Sequence, residues 1–126
     1  FLIFDYGYTY ENRAEKPYTS LLRTYKEHHL SRDPLEGPGE TDITYDVNFS
    51  FLEQYFKAKG YKVELMYQYN FLEKYGFDKI YKKLKDDYQK SSDIEKLKFK
   101  SQLVGLEAIH NERGLGGFYT IIAEKL

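Results

Sequence analysis

Phe1-Leu2-Ile3-Phe4-Asp5-Tyr6-Gly7 is an apolar run closed by a carboxylate and a glycine. Such a run reads as a buried strand that delivers a polar side chain to a turn. It begins without a cap or a polar lead-in, as a strand already under way. A buried parallel strand needs neighbours on both sides and crossover helices on its faces. The expected architecture is therefore α/β, with these residues belonging to the closing part of a larger sheet. The chain is expected to be one C-terminal portion, residues 1–126, of a domain whose earlier strands lie upstream.

Composition narrows the class. The 126 residues suffice for one domain, and 41% hydrophobic content with 14 Tyr and 9 Phe can fill a core. No apolar run approaches the ~20 residues of a membrane span, so no membrane partner is expected. The absence of Cys excludes a disulfide framework and thiolate metal sites. A net charge of −1 gives no electrostatic ground for binding nucleic acid. Lys79, Lys82 and Lys83 read as a solvated helix face. His28, His29, Asp42 and Asp46 lack metal-ligand spacing, so no metal is expected.

The patterning outward from the first strand is helical and strand-like in turn. Tyr8 to Lys16 reads as an exposed loop, and Thr19 to His29 as a short strand or helix. Residues 35–42 are dense in turn formers. Asn48 is a good N-cap for a helix from Phe49 to Lys59, with Phe49, Leu52, Tyr55 and Phe56 on one face and Gly60 as its stop. Tyr61 to Tyr69 alternates as a strand does, and Asn70 can cap the next helix. Phe77, Ile80, Tyr81, Leu84 and Tyr88 form a helical stripe. Asp93 opens a further helix, with Leu97, Phe99, Leu103, Leu106 and His110 expected inward. Gly114-Leu115-Gly116-Gly117 then turns into a closing strand, Phe118 to Ala123. Those glycines follow a helix, so they read as a cap and turn and not as a phosphate cradle.

Five segments in order carry a family resemblance. They are Ile3-Phe4-Asp5-Tyr6-Gly7, Arg23-Thr24-Tyr25-Lys26-Glu27-His28, the stretch from Pro38 to Phe49, Gln68-Tyr69-Asn70-Phe71-Leu72, and Leu115-Gly116-Gly117-Phe118. In this order the chain resembles the C-terminal half of the MidA-like S-adenosylmethionine-dependent methyltransferases. That family includes the mitochondrial assembly factor that methylates an arginine on a respiratory complex I subunit. The resemblance implies a Rossmann-like methyltransferase sheet with flanking helices and S-adenosylmethionine as cofactor. It also implies a protein substrate, with arginine the expected acceptor. Location would be cytoplasmic in a bacterium or archaeon, mitochondrial in a eukaryote. Two departures stand out. Asn48 replaces the usual Asp, and the glycine-rich strand–turn–helix that cradles the cofactor is not among these residues. The cofactor site is thus expected mainly in an N-terminal half absent from this chain, leaving the piece itself inactive.

The candidate residues each have two readings. Asp5 ends a presumed parallel strand, where open α/β sheets place ligands, yet a turn Asp that bonds its own backbone fits equally. Gly7 gives the turn its freedom and is the one candidate here for contact with the cofactor; Tyr6 either lines the pocket or packs. Arg23, Tyr25 and His28 fall within six residues, so one element can present them together. Methyl transfer depends mostly on positioning, and an arginine acceptor gains from carboxylates that hold its guanidinium. Asp5 and Asp42 are of that type, and His28 is a base of suitable pKa. Thr44 supports Asp42 behind a Pro38-Gly39 loop. Catalytic roles are thus expected for Asp5, His28 and Asp42, and substrate contacts for Tyr6, Arg23, Tyr25 and Thr44.

The alternative is an interaction or assembly module without chemistry of its own, whose 18% aromatic content would supply anchors. Separated from its upstream strands, the chain would also expose a sheet edge able to pair with a second copy into a homodimer.

Overall fold

The structure is a computed structural model describing residues 1–15, 21–31 and 33–126. Lys16 and Thr19, which bound two of the segments read above, lie outside the described residues. Three strands form the main sheet in the order β1 (Leu2–Asp5), β8 (Tyr119–Lys125), β7 (Tyr61–Tyr67). Both ladders are antiparallel, with Leu2 opposite Ile122 and Val63 opposite Ala123. β1 and β7 therefore run the same way, one strand apart, with β8 reversed between them. The expected parallel neighbour of β1 is not its described partner. The expected burial is absent too, since Leu2 is 53% and Phe4 40% exposed.

The reason lies in what connects the strands. Helix α1 (Phe49–Ala58) links the β1 side to β7. Asn48 caps it, its Oδ1 accepting the Phe51 N–H at 3.1 Å, as expected. Gly60 ends it with a left-handed φ of 76°, a conformation glycine adopts without strain. The long excursion α2 (Gln68–Lys74), α3 (Phe77–Lys90) and α4 (Asp93–His110) then returns the chain into the vacant slot. Asn70 does not cap α2; Tyr67 holds that position and Asn70 lies within the helix. α4 starts instead at a capping box, in which Ser92 and Glu95 satisfy each other.

One face of the sheet packs on α1. Phe49 and Ile121 are fully buried with Tyr119, and Ile3, Val47, Leu52, Phe56, Val63 and Leu65 close around them. Tyr55, placed on the same stripe by its spacing, is 50% exposed at the margin. On the other face Phe4 meets the Phe71 ring of α2 edge-on at 5.0 Å. In the α3–α4 hairpin Phe77 stacks on His110 at 4.1 Å. Leu97, expected inward, is 74% exposed, and Ile80, on the helical stripe of α3, is 57% exposed.

A second, smaller sheet departs from the sequence reading. β3 (Leu22–Lys26) pairs with β4 (His29–Ser31) and with β5 (Asp42–Tyr45), both antiparallel. The ambiguous segment before His29 is thus a strand. Within the expected loop after β1, two short elements form. β2 (Gly7–Tyr8) lies parallel to β6 (Val47–Asn48), and Arg13–Glu15 makes a 3₁₀ turn. The β2–β6 pair stitches the small sheet to the main one.

Candidate functional site

The site residues read from the sequence separate into a cluster and its surroundings. Register places Arg23 opposite Thr44 and Tyr25 opposite Asp42. Alternation along a strand puts Arg23 and Tyr25 on one face, and directly opposed residues share a face. Four of the seven expected catalytic or substrate-binding residues therefore line one side of the β3–β5 ladder. Asp42 is exposed there and Thr44 half-buried.

Arg23 is the centre of the cluster. Its guanidinium donates to Asp46 Oδ1 at 2.6 Å, and lies 5.2 Å from the centre of the Tyr6 ring. Partial burial alone would lower the guanidinium pKa, but the hydrogen bond and charge of Asp46, with Tyr25, raise it on balance. Asp46 is 5% exposed. A carboxylate there is tolerable because a cation holds it. Asp46 was read only as a poor metal ligand. Its pairing with Arg23 across 23 residues leaves no sequence signal.

Removing that carboxylate has a measurable consequence. Asp46→Ala takes the charge partner from a guanidinium whose side chain is only 25% exposed. The expected loss is about 2–3 kcal/mol, below the 3–5 kcal/mol of a fully buried pair because Arg23 keeps some solvent. Urea unfolding of the single variants and of Arg23→Met/Asp46→Ala gives the coupling. Independent, additive losses would show that the pair does not act as a unit.

The other expected residues lie around this cluster. Asp5 Oδ1 accepts the N–H of Tyr6 at 2.8 Å, which is the turn arrangement. Tyr6 carries Arg23 on one face and meets Phe118 edge-on at 5.7 Å. Gly7 is buried in β2, where its role is close packing. His28 sits at the exposed tip of the β3–β4 hairpin with φ 67°, beside Glu27 at 48°. It is outside the Arg23 face.

A cavity of about 380 Å³ opens where the carboxyl end of β7 and the start of β8 meet the loop after β2, and the sequence alone does not point to it. Thr9, Glu11, Asn12, Asn70, Tyr67 and Tyr119 are among its lining residues. Tyr67 stacks on Tyr119 at 4.8 Å and on Tyr69 at 5.7 Å. Asn12 braces the site, accepting from the Thr9 N–H at 2.8 Å and donating through Nδ2 to the Tyr119 hydroxyl. Burial, and then the bond to Tyr67, push the Tyr119 phenol up to about 12. It is therefore neutral in ordinary buffers, a fixed dipole and not a base. The available signal is the clustering of Tyr67, Tyr69 and Asn70, of which alternation places the tyrosines in a strand and Asn70 at a helix cap.

The glycines do not form a cofactor cradle. A Cβ on Gly116 would lie 2.2 Å from the His110 carbonyl oxygen, and on Gly117 2.4 Å from that of Glu112. Both positions are filled by backbone at the end of α4 and in the turn after it. Among the described residues there is no group of three or more metal-ligating side chains, and no helix long and apolar enough to cross a membrane.

The family model described as "Putative S-adenosyl-L-methionine-dependent methyltransferase" matches residues 1–66 of the chain. The chain belongs to that family. Its members include proteins of the MidA type, and the curated relatives agree. The human mitochondrial protein arginine methyltransferase NDUFAF7 is 29% identical over 122 residues, which is 97% of this chain and 25% of that protein. The Xenopus tropicalis counterpart is 33% identical over 93 residues, 74% of this chain and 19% of its own length. The chain thus spans about a quarter or less of the relatives it matches. Two solved structures from Burkholderia thailandensis share the fold at 20% identity. An uncharacterized protein superposes with a TM-score of 0.76, covering 99% of this chain and 32% of its own. A COG1565 superfamily member bound to S-adenosyl-homocysteine gives 0.67, covering 97% and 30%. The mixed α/β fold described here is therefore one that solved relatives also adopt.

Proposed function

We propose that this chain is the C-terminal portion of a Rossmann-like methyltransferase domain that transfers a methyl group from S-adenosylmethionine to an arginine of a protein substrate. The observation that carries the reading is similarity to a protein arginine methyltransferase along 97% of the chain. The sheet agrees with it: β1 and β7 run together on either side of a reversed β8, as the closing edge of a larger sheet would. On this reading residues 1–126 supply the acceptor-side wall, and the cofactor is held mainly by residues outside this chain, because no glycine-rich strand–turn–helix is among these residues.

The residues then take separate tasks. The Arg23, Tyr25, Thr44 and Asp42 face borders the acceptor. Asp42, exposed and anionic, is the group to hold a guanidinium there. His28, at the end of the same hairpin, is the candidate proton acceptor. Asp5 and Tyr6 fix the turn at the carboxyl end of β1, and Gly7 admits the close strand pairing beside the cofactor half. Calorimetric titration of S-adenosylmethionine tests the reading, with this chain and the full-length protein in separate cells. Binding to the full-length protein alone is the expected result, with methyl transfer to an arginine substrate lost by about 100-fold in its Asp42→Ala variant. Binding to neither protein would overturn the methyltransferase reading; a folded Asp42→Ala enzyme with wild-type activity would remove only the role of Asp42.

A further inference from the structure

α4 is apolar on two sides, and the structure uses only one. Phe99, Leu103, Leu106 and Ile109 turn toward the body of the protein and are half-buried. The other side carries Ile94, Leu97, Ser101, Val104 and Ala108, all exposed, with Ile94 at 87%, Leu97 at 74% and Val104 at 57%. The steps between these residues alternate three and four, the spacing of a helix seam made to pair with another helix. A single helix face that merely tolerates solvent has no reason to keep that register. Beside the seam, Ile80, Leu84, Gln102, Gly105 and Leu106 line an open groove of about 390 Å³ between α3 and α4. A Cβ placed on Gly105 would meet nothing within 4 Å, so the backbone there is open to close approach.

We propose that this seam joins two copies of the chain, α4 against α4 antiparallel, with the α3–α4 hairpins forming a four-helix interface. The occupant follows from self-complementarity. A two-fold axis passing between Gln102 and Leu103 sets Leu97 against Ala108 of the second copy and Ser101 against its Val104. Each large side chain then faces a small one, which fills the layer without overlap. The same register brings Lys100 beside Glu107 of the second copy, whose carboxylate accepts from the Tyr81 hydroxyl of its own hairpin and keeps its second oxygen for the ammonium, and the symmetry repeats the pair. Lys98 falls over the second copy's Gly105, where its methylenes can lie along the groove while the ammonium reaches water. Every contact is made twice by one patch on each copy, as a closed dimer requires. A parallel pairing would instead stack Leu97 on Leu97 and leave Lys100 without Glu107.

Sedimentation velocity and light scattering of the whole chain test this. The wild type is expected at twice its 15.0 kDa mass. Leu97→Glu/Val104→Glu is expected as a monomer with unchanged far-UV circular dichroism, because both side chains point away from the monomer's own core. Charge reversal supplies the register-specific readout. Lys100→Glu is expected to weaken association by about tenfold, and Lys100→Glu/Glu107→Lys to restore it. A wild type that stays monomeric at the highest attainable concentration overturns the proposal. So does a dimer that survives Leu97→Glu/Val104→Glu, which would place the contact at the open edge of β1.

Discussion

Phe49→Ala is expected to lower stability by about 3–5 kcal/mol, the range for deleting a fully buried phenyl ring. Phe49 has no exposed surface and sits at the junction of three elements: the start of α1, the β2–β6 pair and the centre of β8. Its ring lies 5.2 Å from that of Tyr119 and packs with Ile121. These neighbours belong to a sheet with only three strands, so they have little freedom to close the hole. Against a total of roughly 5–15 kcal/mol for a domain, the loss consumes a large share. The measurement is urea unfolding followed by far-UV circular dichroism. Phe51→Ala, two residues on and 56% exposed, is the control and should change stability by about 0.5 kcal/mol or less. Equal losses at the two positions would contradict the assigned core.

Gly7→Ala is the second large effect, and it works by overfilling. An added methyl would lie 2.1 Å from the Val47 carbonyl oxygen and 2.7 Å from the Phe49 ring. The carbonyl belongs to the strand that pairs with Gly7, so relief requires β2 and β6 to separate. That contact ties the Arg23 ladder to the main sheet. A loss of about 3 kcal/mol is expected, at the upper end of ordinary overpacking. Because the methyl meets Phe49 as well, Gly7→Ala and Phe49→Ala should not add; the double variant should fall short of their sum. Strict additivity would mean that the methyl is accommodated without touching the ring. Gly7 is thus a packing residue in this chain. The expectation that glycine there serves the turn or a cofactor is a separate matter, to be read from activity in the full-length protein.

Much of the local architecture was legible because it is written in short-range patterns. Asn48 and Gly60 bracket α1 through the geometry of their own side chain and backbone. The alternation of Val63 and Leu65 marks β7, and the spacing of Phe77, Tyr81 and Leu84 marks α3. The ladder partners were not legible. Nothing in Leu2-Ile3-Phe4 says that its neighbour lies 120 residues later and runs in reverse. β3 escaped for a different reason: Leu22-Arg23-Thr24-Tyr25-Lys26 packs one face on the protein and carries Arg23 and Tyr25 on the other, so hydropathy alone gives no clean period. Leu97 reads as inward and Ile80 as part of the α3 stripe because helical spacing identifies a stripe but not what covers it. The site behaved likewise. The sequence brought Arg23, Tyr25, Asp42 and Thr44 forward as candidates, and register sets them on one face. The Asp46 partner and the tyrosine cavity arise only from chain crossings.

The order in which the main sheet is synthesised differs from the order in which it is arranged. β8 is the last described element to leave the ribosome, yet it is the strand to which both others bond. Without Tyr119 to Lys125, β1 and β7 have no ladder with each other, and their strand edges are paired only with water. Every described pairing of β1 closes a loop of more than a hundred residues. Such long-range closure is slow and leaves strand edges open to wrong partners. In the folded chain the α3–α4 hairpin, built from local contacts, is what leads back to β8 and its slot.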